Sequence, residues 1–102
     1  MDYTVEDILI PAHHPCFEGH FPGHPVFPAV AQIDLVLDIL QQRTNQSVTL
    51  VAIHKAKFPA PIGPDCVVQV SLKVEDVTVF WQIFGKDKTY SMGTLGVSFD
   101  PA

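Results

Sequence analysis

His20 and Asp34 are the side chains of this 102-residue chain best suited to moving protons: an imidazole in a loop, and a carboxyl fourteen positions later. An unperturbed imidazole titrates near ~6.5 and can accept a proton at neutral pH, whereas a carboxyl can donate one only where its surroundings keep it protonated. The loop reads Phe17-Glu18-Gly19-His20-Phe21-Pro22-Gly23-His24-Pro25-Val26-Phe27-Pro28-Ala29. Its prolines lock φ and remove amide donors, so the segment can be neither helix nor central strand and is expected to hold the imidazole still. From Val30 to Leu40 the chain is apolar except for Gln32, Asp34 and Asp38, and the two carboxyls fall one turn apart on one helix face. An apolar wall favours the neutral acid and a neighbouring carboxylate adds like-charge pressure, so both effects are expected to keep Asp34 protonated.

Other pairings of reactive side chains carry less. His20 and His24 mimic a metal-binding i, i+4 pair, but Pro22 and Pro25 forbid the helix that would align them, and no metal is expected. Cys16 and Cys66 have no CxxC spacing and read as reduced thiols. His13 and His14 are placed at the loop entrance and His54 on a strand surface.

The elements that must position His20 and Asp34 follow from periodicity. Val5, Ile8 and Ile10 mark a strand stopped by Pro11. A helix is expected from about Pro28, where a missing amide hydrogen costs nothing, to Gln41 or Arg43, before Thr44-Asn45 ends it. Because the helix is apolar nearly all round, it is expected to be wrapped by other structure. Residues 48–58, 66–74, 77–84 and 90–99 are rich in β-branched and aromatic residues and read as four antiparallel strands, with a hairpin turn at 85–88. A change of parity in the last strand predicts a bulge near Gly93. The three prolines and one glycine of 59–65 form a rigid connection. The sum is a single α+β domain over 1–102.

Composition narrows the function. With 47% hydrophobic and 17% charged residues the chain suits one compact core. Its net charge of −5, without a basic run, argues against nucleic-acid binding. The N-terminus shows no basic region followed by an apolar one, and the longest apolar stretch is interrupted by polar residues, so a cytoplasmic protein without membrane insertion is expected. A domain this small has little interior for a substrate. A deep site is therefore expected between subunits of a homo-oligomer.

Gly19-His20-Phe21-Pro22-Gly23-His24-Pro25-Val26-Phe27-Pro28-Ala29-Val30 resembles the G-H-F-P-G-x-P-x-x-P-G-V motif of the β-hydroxyacyl-acyl-carrier-protein dehydratases. Asp34 stands at that family's acid position. His14-Pro15-Cys16-Phe17-Glu18 is similar to its E-P-F-F-Q lead-in and 57–65 to its K-F-x-x-P-V-x-P-G-D segment, while Ala31-Gln32-Ile33-Asp34 resembles the V-Q-I-D of the small aryl-polyene-type dehydratases. Ala29 and Asp38 depart, where the family usually has glycine and glutamine. The resemblance implies the hotdog fold, a curved antiparallel sheet wrapped around one long helix, and elimination of water from a carrier-bound 3-hydroxyacyl thioester without metal or organic cofactor. It makes His20 the base for the C2 proton and Asp34 the acid for the C3 hydroxyl, facing one substrate from different subunits. The amide of Ala29 or Val30, at the positive end of the helix, is the natural donor to the thioester carbonyl. Phe17, Phe21 and Phe27 are candidates to line an acyl tunnel, each equally able to be a core aromatic. The implied partners are an acyl carrier protein and a second copy of the chain, in a homodimer or a higher oligomer. Arg43, Lys55 and Lys57 are either a cationic patch for that carrier or a solvated face. A hotdog thioesterase and a non-catalytic subunit serving an active partner are the alternatives.

Overall fold

The computed structural model describes residues 1–14 and 26–101. The element order is β1 (Asp2–Ile10), α1 (Ala29–Thr44), β2 (Gln46–Lys57), β3 (Cys66–Glu75), β4 (Thr78–Phe84) and β5 (Thr89–Pro101). Every expected element is present, with boundaries moved by one to three residues at most ends. The strands form one antiparallel sheet in the order β1-β3-β4-β5-β2. The chain thus leaves one sheet edge through the loop, crosses by the helix, and returns at the other edge.

Local chemistry sets the ends of these elements. Pro28, in extended geometry, is the residue before α1, and Asn45 closes the helix in the left-handed region at φ 54°, where an asparagine is tolerated. Asp7, Asp65 and Asp76 are the other non-glycine residues of positive φ among those described. Asp7 sits in a bulge of β1 between Val5 and Ile8, where its amide donates to Gln69 Oε1 at 2.7 Å. Asp76 begins the two-residue link between β3 and β4, whose flanking residues Glu75 and Thr78 pair. At the other hairpin the Gly85 amide donates to the Lys88 carbonyl at 2.8 Å.

One core lies between the sheet and the buried side of α1, built from Ile33, Val36 and Leu40 of the helix and from Val68, Val70, Leu72, Val79, Ile83 and Leu95 of the strands. The irregularity expected near Gly93 is found on the β2 side of β5, where the register slips between Ile53 and Lys55, opposite Leu95 and Thr94, with His54 of β2 as the extra residue; on the β4 side it is displaced. The register slips between Ile83 and Phe84, opposite Ser91 and Thr89, so that Tyr90 is the extra residue. Gly93 is instead in register with Trp81. A Cβ at Gly93 would stand 2.5 Å from Trp81 Cη2 and 2.1 Å from the Lys55 carbonyl oxygen, so glycine there is the space the indole occupies. Trp81 is buried and its Nε1 donates to the buried Ser91 Oγ at 3.0 Å.

The helix is not wrapped on every side. Ala31, Gln32, Ile33, Val36, Ile39 and Leu40 are buried, but Val30, Asp34 and Asp38 form an exposed stripe, with Val30 68% exposed. A curled sheet of five strands covers one side of a helix, and the i, i+4 row opposite faces outward. Among the described residues no helix is long and apolar enough to cross a membrane.

Candidate active site

Three segments meet at the N-terminal end of α1. β1 ends at Ile10, whose carbonyl accepts from the Asp65 amide at 2.7 Å, and Asp65 Oδ1 accepts from the Ala12 amide at 2.9 Å. A turn closed by the His14 amide on the Pro11 carbonyl, 3.0 Å, then presents His14. Across from it, the Phe27 amide donates to the Ile62 carbonyl at 2.8 Å, which ties the helix entry to the proline-rich connection between β2 and β3. The Phe27 ring is buried and meets the His14 ring edge-on, with centroids 5.0 Å apart.

Between these segments and the helix lies a cavity of about 340 Å³, whose walls include Ile8, Ile10, His14, Phe27, Asp34 and Leu35. Asp38 lines it as well. The carboxyl singled out by sequence therefore does face an apolar cavity. It is also exposed in the single chain, contrary to the expectation that it would be buried, because it falls on the open stripe of α1.

The remaining expected site residues are placed unequally. Ala29 and Val30 occupy the first turn of α1 and are exposed. By helix geometry the amides of Ala29, Val30 and Ala31 have no intrahelical carbonyl to reach, Pro28 supplies no side-chain cap, and no acidic residue stands in that turn. Phe27 proves to be both a core aromatic and a wall of the Asp34 cavity. His20, Phe17 and Phe21 lie outside the described residues, as do Cys16 and His24.

Sequence reasoning gave no site role to two residues here, although it placed His14 at the loop entrance. His14 shares the cavity with Asp34. Gln32 is only 3% exposed, its Nε2 donates to the Phe27 carbonyl at 3.2 Å, and its Oε1 finds no donor among the described residues. A lone amide in the apolar run 30–33 was the signal that could have drawn notice to it.

Arg43, Lys55 and Lys57 do not gather around one cavity. Arg43 lines a space of about 520 Å³ beyond the end of α1, with Tyr3, Val74 and Phe99. Lys55 borders a groove of about 400 Å³ with Lys73, Phe80 and Met92. His54 is on a strand surface as expected, with its ring over Gly96, where an added Cβ would come within 2.8 Å of Nε2.

A model of the ApeI-like family, described as ApeI dehydratase, matches residues 2–94. A 3-hydroxyacyl-[acyl-carrier-protein] dehydratase FabZ of Syntrophotalea carbinolica is 31% identical over 70 residues, 61% of this chain and 48% of that protein. Its counterpart in Geotalea uraniireducens is 35% identical over 88 residues, 72% and 58% of the two chains. The chain thus spans about half the length of the curated relatives it matches. In structure it is similar to the dehydratase heterocomplex ApeI:P of Xenorhabdus doucetiae, with a TM-score of 0.85 and 23% identity over 94% of this chain and 86% of that one. It is also similar to an uncharacterized protein of Erwinia carotovora, with a TM-score of 0.77 and 28% identity over 96% and 85%. With the strand order, the one helix among the described residues and the G-H-F-P-G motif leading to Asp34, these findings show a hotdog fold, and the chain belongs to the ApeI-like dehydratase family.

Proposed function

We propose that this chain is a (3R)-3-hydroxyacyl-[acyl-carrier-protein] dehydratase that converts a carrier-bound 3-hydroxyacyl thioester to the trans-2-enoyl thioester in fatty-acid or aryl-polyene-type chain elongation. The observation that carries this reading is the position of Asp34, which faces a cavity walled by Ile8, Ile10, Phe27 and Leu35 and stands fourteen positions after His20 of the family motif. His20 takes the C2 proton, the C2–H electron pair forms the C2=C3 bond, and the C3 hydroxyl departs as water with a proton from Asp34. The first-turn amides of Ala29 and Val30 hold the enolate-like charge that develops on the thioester oxygen, where oriented donors count most. Phe27, with Phe17 and Phe21 of the loop, lines the acyl path. The reaction as drawn needs no metal or organic cofactor.

In this reading the working unit is a cytoplasmic homodimer, or a larger assembly of dimers, receiving its substrate from an acyl carrier protein. Two features support the second copy. β2 is an edge strand of the described sheet and exposes Val51 and Ile53, 68% and 49%, and such an edge is open to pairing with a second strand. The exposed stripe of Val30, Asp34 and Asp38 offers a face on which a second copy could pack, and packing there would withdraw Asp34 from water. His20 of one copy and Asp34 of the other then face one substrate.

A second reading is favoured by a specific observation. Ala29 puts a methyl at the helix entry and Asp38 cannot donate a hydrogen bond when ionised, which suits a subunit that completes an active partner; the Xenorhabdus protein is described as a heterocomplex. A thioesterase is less well supported. The fluoroacetyl-CoA thioesterase FlK shares the fold, at a TM-score of 0.63 and 19% identity, but fold alone does not carry activity.

The test is hydration of a crotonyl thioester and dehydration of carrier-bound 3-hydroxyacyl chains, followed by mass spectrometry. The purified chain is expected to turn over, and His20→Ala and Asp34→Asn each to lower the rate by roughly 10²–10⁴. Turnover only with an added partner supports the subunit reading, and release of free acid supports the thioesterase.

A further inference from the structure

We infer that Gln32 is a positioning residue that sets the direction of the first-turn amides of α1 by holding the Phe27 carbonyl, an inference that rests on the dehydratase reading above. The junction between loop and helix has few degrees of freedom. Pro28 has φ locked at −72° and carries no amide hydrogen, so its orientation is inherited from the peptide before it. That peptide contains the Phe27 carbonyl, and Gln32 Nε2 donates to it at 3.2 Å. The peptide on the other side of Phe27 is held by its amide on the Ile62 carbonyl at 2.8 Å. Both peptide planes flanking Phe27 are therefore anchored, one by a buried backbone and the other by Gln32. The next amides in the chain are those of Ala29 and Val30.

The placement of Gln32 is not what stability alone favours. Its backbone amide already makes the first helical bond, to the Pro28 carbonyl at 3.1 Å. Its side chain is 3% exposed and leaves Oε1 without a donor among the described residues. A buried acceptor left unsatisfied is a cost that a methionine of similar shape avoids. The glutamine exchanges that cost for one directional bond, to the carbonyl that aims the helix entry. A thioester oxygen is sensitive to such aim, because oriented donors act only at hydrogen-bond distance and small misplacements are expensive in rate.

The experiment compares wild type with Gln32→Met by crotonyl thioester hydration, thermal melting, and the amide resonances of ¹⁵N-labelled protein. Gln32→Met is expected to melt at or above the wild-type temperature. Its kcat is expected to fall on the order of 10- to 100-fold with KM little changed, and the Ala29 and Val30 amides to shift. An unchanged kcat, a kcat that falls only in step with melting temperature, or unmoved Ala29 and Val30 resonances overturns the inference. Should Gln32→Met fail to fold, Gln32→Leu, which is smaller and likewise carries no donor, is read the same way. If wild type itself shows no turnover, the dehydratase reading falls, and the amide resonances alone decide whether Gln32 orients the helix entry.

Discussion

Replacing Gly93 with alanine adds one methyl group at the most crowded of the described glycines. The new Cβ would stand 2.1 Å from the Lys55 carbonyl oxygen and 2.5 Å from Trp81 Cη2, whereas ordinary contacts begin at 3.4 Å. The strand carrying Lys55 would have to retreat by about 1.3 Å and the indole by about 0.9 Å. Neither group can move cheaply. Lys55 belongs to β2, paired to β5 on both sides of the contact, and Trp81 is 3% exposed and hydrogen-bonded to Ser91. Overpacking typically costs about 1–3 kcal/mol, and a clash with backbone puts this one near about 3 kcal/mol. For a domain of this size that lowers Tm by roughly 12–24 °C. Melting followed by circular dichroism reads the shift. The double variant Gly93→Ala with Trp81→Phe removes the ring atoms that clash but not the Lys55 contact, so the two changes are expected to be less than additive. A Gly93→Ala protein whose Tm stays within about 2 °C of wild type refutes the packing argument.

Two further predictions concern the edge strand and a buried phenol. Ile53→Lys places a charge on the exposed apolar edge of β2, and size-exclusion chromatography is expected to show a monomer that keeps its secondary structure; an unchanged oligomer would rule out pairing through that edge. The Tyr90 hydroxyl titrates above its usual value because of its hydrogen bond with the Cys66 side chain 3.2 Å away, then burial, then the charge of that thiol group. A phenol held neutral by the fold stabilises it below its unfolded pKa of about 10, and that contribution is lost as pH rises through the folded value. Wild type is therefore expected to lose stability above about pH 10, and Cys66→Ala to bring the tyrosinate absorbance back toward the ordinary range. An identical titration in Cys66→Ala would show that the thiol is not the cause.

Much of the scaffold was legible because its determinants are local. Pro28 and Asn45 bound the helix for reasons carried by each residue's own φ, and the alternation of Val68, Val70 and Leu72 marks a half-buried strand wherever that strand ends up. The resemblance of the loop and of Asp34 to the family motif was likewise written in residue type and spacing. The bulge was not. Parity alone suggested an extra residue in β5 at Gly93, but register is decided between strands: the extra residue near Gly93 is His54 of β2, the one in β5 is Tyr90, and Gly93 stays in register with Trp81, whose indole fills the space above it.

What the sequence by itself determined is the family motif, in its residue types and spacing, and the number and kind of the described elements. Tertiary structure alone decided which way Asp34 faces. An apolar helix reads the same whether a sheet surrounds it or covers one side, because periodicity records which residues avoid water and not what covers them. The bond from Gln32 to Phe27 and the anchoring of Phe27 on Ile62 were invisible for the same reason. They join segments through side-chain and backbone groups whose meeting depends on the fold, and any buried amide could have found a different carbonyl.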